Sequence, residues 1–253
     1  MTGSETEPVG EGAVTARQYD AMARGYAAFN EVNSANAHYE RPAMMAVLSG
    51  VGLEDKRVLE IGCGAGVLTE WMIEQRAEVT AFDVSAEMLK LARERVGERA
   101  RILAHDLHKP LYFASGASFD LVVASLVFHY LRDWRAVLDE LRRVLVPGGR
   151  VVFSTHHPSW DWLNHTPDDY FAVMQVTESW ERAGKEYDVT FWRRPLRDLT
   201  APIAAAGFVI EQLTEPEPLP ELAERDPEGY EELRTRPFFL LFLLRAPERS
   251  GQA

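Results

Sequence analysis

The chain has one cysteine, Cys63, so it can form no internal disulfide, and the class of small disulfide-stapled domains is excluded. It also lacks any apolar run near the roughly 18 residues that a membrane helix needs. The longest such run, Phe238 to Leu244, suits a strand buried on both faces, with Arg236 and Arg245 marking its ends. Basic residues are scarce beside acidic ones: 27 Lys and Arg against 39 Asp and Glu leave a net charge of −12. Nucleic-acid affinity is built largely from cations that neutralise phosphates, so RNA and DNA are poor partners for such a chain. The amino terminus, MTGSETEPVGEG, has neither the basic start nor the apolar stretch of a secretory signal, and residues 1–14 are expected to be a disordered tail. These absences predict a cytoplasmic protein with no membrane and no nucleic-acid partner, monomeric or homodimeric.

What is present is an alternation of short apolar runs with helical periods. VLEI (58–61), VTAF (79–82), RILA (101–104), FDLVVAS (119–125) and RVVFST (150–155) read as strands. A helix follows from Val67 to Glu74, and a second is capped by Ser85 ahead of Met88, Leu89, Leu91, Ala92 and Val96. A third, after Asp133, carries Trp134, Val137, Leu138, Leu141, Val144 and Leu145 and stops at Pro147-Gly148-Gly149. The order predicts an α/β, Rossmann-like, doubly wound parallel sheet, which binds ligands at the carboxyl ends of its strands. Residues 15–50 form an amino-terminal helical cap, 51–155 the core, and 196–253 its carboxyl-terminal part. That last part holds a helix at 196–206, strands at 208–213 and 238–244, and an acidic, Pro-rich surface excursion with one short helix between them. Residues 156–195 break the rhythm with Trp160, Trp162, Tyr170, Phe171, Trp180, Tyr187, Phe191 and Trp192, and are expected to be a lid over the strand ends.

The strand ends carry the chemistry. After the first strand, Gly62, Gly64 and Gly66 leave Val67 where a dinucleotide-binding GxGxxG places its third glycine, the one that lets a helix approach a pyrophosphate. A Tyr-x-x-x-Lys pair is missing too, so an NAD(P)-dependent oxidoreductase is the weaker alternative. Asp83, 21 residues beyond Gly62, ends the second strand where a carboxylate accepts from ribose hydroxyls. Asp106 and the amide of Leu107 can meet the edge of an adenine, and Val84 and Met88 can sandwich its ring.

These stretches together resemble the class I S-adenosylmethionine-dependent methyltransferases of the type 11, or UbiE-like, branch. The matching residues are VLEIGCGAG (58–66), FDVS (82–85) with Met88, AHDL (104–107), FDLVVASLVFHYL (119–131) and LRRVLVPGGRVVFST (141–155). The resemblance implies a seven-stranded sheet whose last strand is antiparallel, with S-adenosylmethionine as methyl donor and S-adenosylhomocysteine as product. It implies that Gly62 and Gly64 free backbone carbonyls for the methionyl amino group, that Asp83 binds ribose, and that Asp106 and Leu107 bind adenine. Ser125 then lies near the sulfonium, Glu60 supports the loop, and Cys63 is a small filler.

For the acceptor, His129 is the best-placed base, because imidazole titrates near neutrality, with Tyr19 beside it in the catalytic set. Tyr26, Tyr39, His156, His157 and Trp192 are the candidate acceptor contacts. Adjacent histidines on an extended chain point to opposite sides, so one of His156 and His157 is expected to line the pocket. Arg41 is expected to pair with acid on the lid. No third ligand at metal spacing accompanies the histidine pair, and no metal site is expected. The position after the fourth strand reads Ala-Ser-Leu-Val-Phe-His, not the D/N-P-P-Y/F of enzymes that methylate planar amino nitrogens. A small, aromatic or partly apolar acceptor, methylated on O, N or C, fits these features; a non-catalytic cofactor-binding module is the remaining alternative.

Overall fold

The computed structural model describes residues 10–165 and 168–248, so the expected tail lies outside the described residues as far as residue 9. Nine strands appear there: β1 (Arg57–Ile61), β2 (Glu78–Asp83), β3 (Arg101–Ala104), β4 (Phe119–Ala124), β5 (Leu145–His156), β6 (Met174–Arg182), β7 (Lys185–Arg193), β8 (Val209–Thr214) and β9 (Phe239–Arg245). The helices are α1 (Glu11–Asn30), α2 (Arg41–Val51), α3 (Val67–Glu74), α4 (Ala86–Val96), α5 (Arg135–Val144), α6 (Pro158–His165), α7 (Leu196–Ala205), α8 (Leu222–Arg225) and α9 (Pro227–Thr235).

Seven strands form one sheet in the order β3-β2-β1-β4-β5-β9-β8, in which β9 alone runs antiparallel to its neighbours. Alternate side chains of each strand point to opposite faces. Leu59, Ile61, Phe82, Val122, Phe153 and Phe242 face α5 and α7, while Val58, Val79, Leu121, Val123, Val152 and Leu241 face α2, α3 and α4. Both faces are covered, which is why these strands read as continuous apolar runs. The strand order reverses between β1 and β4, and the crevice above their carboxyl ends is where such sheets hold ligands.

Three local outcomes differ from the sequence reading. Helix α1 begins at Glu11, inside the stretch expected to be tail, and Tyr19 and Asp20 tie it to Tyr130 and Ser85 of the core. The aromatic stretch after β5 is a helix and a β-hairpin. In that hairpin β6 pairs with β7 from Met174↔Arg193 to Arg182↔Lys185, and Ala183 and Gly184, at φ 53° and 73°, make the turn. Two residues at positive φ match the right-handed twist of the flanking strands. The acidic excursion holds two short helices, α8 and α9, rather than one. Ser85 caps α4 as expected, its Oγ accepting from the Met88 amide at 3.1 Å.

Candidate active site

The loop from β1 to α3 turns on glycines at φ 65°, 52° and 79° for Gly62, Gly64 and Gly66. Their reasons differ. A Cβ on Gly62 would overlap Val127 Cγ2; one on Gly66 would come within 3.2 Å of the Ala92 Cα on α4; one on Gly64 would meet nothing within 4 Å. Gly66 therefore supplies the close packing that a dinucleotide site obtains one residue later. The amides of Gly62 and Cys63 donate to the Phe82 carbonyl at 2.8 and 3.1 Å, which ties the loop to β2.

Asp83 holds the loop from the other side. Its Oδ2 accepts from the Gly64 amide and its Oδ1 from the Ser85 amide, both at 2.9 Å. Burial nevertheless raises its pKa above the usual carboxylate range. Glu60, on β1, accepts from Thr69 Oγ1 at 2.5 Å, and burial, reinforced by the nearby Asp83, pushes it up to about 8. In the folded chain Glu60 thus keeps a proton that the unfolded chain has lost above about pH 4.5. Stability falls as pH rises from about 4.5 to about 8, by on the order of 5 kcal/mol, and levels off once both states are ionised. Glu60→Gln should flatten that slope in urea denaturation at a series of pH values; an unchanged slope would assign the effect elsewhere.

Above the loop lies a cavity bordered on one side by Glu60, Gly62, Gly64, Asp83, Val84 and Met88, and farther along by Asp106, Leu107 and Ser125. Its roof is α1, which places Tyr19, Tyr26 and Asn30 over it. Asp20 fixes that roof by accepting from Ser85 Oγ at 2.6 Å and from the Glu87 amide at 3.1 Å. The hydroxyls of Tyr19 and Tyr130 are 2.5 Å apart, and the Tyr19 ring meets Tyr26 edge-on at 5.0 Å. Burial raises the pKa of all three tyrosines. At the far end Asp106 accepts from the amide of His108 and contacts its ring, at 3.0 and 2.8 Å. Burial pushes its carboxyl up, but His108 and Lys109 outweigh that and hold it below the usual range.

Two cavity residues were not legible in sequence. Glu40 ends a five-residue π-helix, Asn36–Glu40, and its Oε1 accepts from Ser125 Oγ at 2.8 Å and Ser154 Oγ at 2.5 Å. It bridges the cap to the ends of β4 and β5 across 114 residues of sequence, and burial raises its pKa. Arg41 does not meet an acid on the lid. It borders the cavity, donating from Nη2 to the Asn30 carbonyl at 2.7 Å, and burial lowers its pKa. The helical irregularity is the cause: one widened turn rotates Glu40 and Arg41 inward together.

Five residues expected to face acceptor or cofactor lie off the cavity. Tyr39 packs with Leu222, Leu233 and Phe239 beneath the acidic excursion, since α8 and α9 fold back onto the cap. His129 is turned towards Phe191 of the β6–β7 hairpin by the short 3-10 turn Phe128–Tyr130, so that Tyr130 borders the cavity in its place. His156 stacks on His129, with centroids 4.0 Å apart. His157 points the other way, to Glu215 Oε1 at 3.0 Å, while its Nδ1 accepts from the Ser159 amide at the start of α6. Trp192 lies under the Arg132 guanidinium, 5.3 Å from its carbon.

Sheet order, glycine loop and acidic strand ends are those of a class I S-adenosylmethionine-dependent methyltransferase. Residues 59–153 match the family described as Methyltransferase domain, which supports a class I S-adenosylmethionine-dependent methyltransferase. It is 36% identical to the ubiquinone biosynthesis O-methyltransferase of Idiomarina loihiensis over 106 residues, 41% of this chain and 44% of that one. It is 34% identical to the malonyl-[acyl-carrier protein] O-methyltransferase of a Paenibacillus strain, over 42% of this chain and 40% of that one. The chain thus spans under half the length of these two relatives. A crystallised S-adenosylmethionine-dependent methyltransferase from Mesorhizobium loti superposes with a TM-score of 0.65 at 28% identity, covering 81% of this chain and 97% of that one. No helix among the described residues is long and apolar enough to cross a membrane.

Proposed function

We propose that this protein transfers the methyl group of S-adenosylmethionine to a small, aromatic or partly apolar acceptor in the cytosol, and that the atom methylated is oxygen. The observation that carries the cofactor part is convergence. Residues at or just beyond the ends of β1, β2, β3 and β4 that are up to 65 positions apart, from Glu60 to Ser125, border one cavity under α1. The donor set also fits the charges of the cofactor. Open backbone at Gly64 suits an ammonium, the Arg41 guanidinium suits a carboxylate, and Asp83 suits a diol. Asp106 and the Leu107 amide would read the adenine edge, with Val84 and Met88 on its faces. When bound, the cofactor supplies an electrophilic methyl group on a sulfonium that is already a good leaving group, so the chain's main task is positioning. Tyr19, Tyr26 and Tyr130 give the acceptor an apolar, water-poor approach. The two O-methyltransferase relatives support oxygen as the target atom.

Calorimetry should show binding of S-adenosylmethionine and S-adenosylhomocysteine and none of NAD(P); binding of a dinucleotide alone would overturn the reading. Turnover with simple phenols, compared with aromatic amines, tests the choice of oxygen. Arg41→Leu should weaken S-adenosylhomocysteine binding by about 1.5–3 kcal/mol, the scale of a hydrogen bond to a charged group. 5′-Methylthioadenosine, which has no carboxylate, should bind the variant as it binds the native protein. Equal losses for both ligands would remove Arg41 from the carboxylate site.

A further inference from the structure

Beside the β6–β7 hairpin, beyond the cofactor cavity, three polar side chains with buried atoms meet without satisfying one another. His129 stacks on His156 at an interplanar angle of 18°. His156 Nδ1 stands 3.3 Å from Asp161 Oδ1, on α6, out of line for a hydrogen bond. Among the described residues neither of those atoms has a hydrogen-bond partner, nor has His129 Nδ1, although His129 and Asp161 are each only 3% exposed. Phe191 of β7 closes the cluster, its ring 4.5 Å from that of His156 and 5.9 Å from that of His129. Unmet buried polar atoms are costly, so three in contact describe a site that an outside group completes. The described residues place no three His, Cys, Asp or Glu groups to hold a metal ion.

The cluster adjoins the reaction centre. His156 is the last residue of β5, at the carboxyl edge of the sheet, and the His129 ring lies 4.3 Å from that of Tyr130, which borders the cofactor cavity. We infer that this cluster is the polar subsite for a phenolic acceptor and that His156, with the Asp161 carboxyl beside it, takes the proton of its hydroxyl; the inference rests on the methyl-transfer reading above. In that step the O–H bond breaks with its proton passing to the imidazole Nε2. The oxygen's electron pair forms the bond to the methyl carbon, and the methyl–sulfur bond breaks with its pair left on sulfur. His129, kept neutral by burial, by His156 and by Arg194, serves as a platform and hydrogen-bond partner rather than a second cation. The other titratable or charged groups around the pair are Tyr130 beside His129, His165 on α6 with Glu178 of β6 3.2 Å from it, and Arg194 after β7.

The test uses protein loaded with S-adenosylhomocysteine and two probes, 4-nitrophenol and its methyl ether 4-nitroanisole. The native protein should bind the phenol at least about tenfold more tightly, and the bound probe should show phenolate absorbance at pH values where the free probe is still protonated. His156→Gln and Asp161→Asn should each abolish both the preference and the phenolate band, while melting temperature and S-adenosylhomocysteine affinity stay near native. Equal binding of the two probes by the native protein, or a preference that survives in the variants, would overturn the subsite. Failure of the native protein to bind S-adenosylhomocysteine would instead overturn the cofactor reading.

Discussion

Gly62→Ala should lower the unfolding free energy by about 2–5 kcal/mol, the sum of two separate costs. The first is conformational: Gly62 sits at φ 65°, and a Cβ there crowds the following carbonyl by roughly 1–2 kcal/mol. The second is steric, because the added methyl would overlap Val127 Cγ2, and overpacking of this kind costs about 1–3 kcal/mol. Gly64→Ala provides the contrast. Its φ of 52° carries the first cost, but nothing lies within 4 Å of the added atom, so the second is absent. Urea denaturation should therefore rank native above Gly64→Ala above Gly62→Ala. In calorimetry Gly64→Ala should lose more cofactor affinity than its stability loss implies, because its new methyl occupies open space beside the cavity. A Gly62→Ala protein as stable as native would show that Val127 moves aside freely and that the loop's shape has another cause.

That loop also shows how far sequence alone could go. Strands β1 to β5, the glycines, Asp83 and Asp106 are local signals, each a short run read against the period of a strand or the residue demanded by a turn. Their shared position follows from the rule for parallel sheets, and it needed no knowledge of side-chain packing. Glu40 was not legible, because its role rests on hydroxyls of Ser125 and Ser154 that are 85 and 114 residues away and on a π-helical turn with no sequence signature. Arg41 was misassigned for the same reason. The β6–β7 hairpin left a faint trace: Val176, Val189 and Phe191 are buried on alternating positions around an Ala-Gly turn. Aromatic residues on both faces of β6 and β7 masked that alternation. For His156 and His157, alternation along an extended chain foretold that the pair would split, but only the fold tells which ring turns to His129 and which to Glu215.

Asp83→Ala should weaken cofactor binding by about 1–3 kcal/mol and also destabilise the free protein, since on the proposed reading the carboxylate that braces the loop also binds the ribose. Removing it strands the amides of Gly64 and Ser85, each of which now donates to one of its oxygens. Asp83→Asn is no mild substitute. Both native oxygens accept from backbone N–H groups, so an amide must turn its NH2 towards one of those donors, and that contact becomes repulsive. The ribose role and the brace role can be separated with ligand chemistry. S-Adenosylhomocysteine and its 2′,3′-dideoxy analogue should differ in affinity for the native protein by about 1–3 kcal/mol, and by little for Asp83→Ala, whose acceptor is gone. If the hydroxyls remain equally valuable in the variant, Asp83 acts only by bracing the loop, and the diol is bound by another group along the cavity. If instead the difference collapses while melting temperature falls as well, the two functions share one side chain. Its position is then constrained twice, by the amides of Gly64 and Ser85 behind it and by the ribose in front.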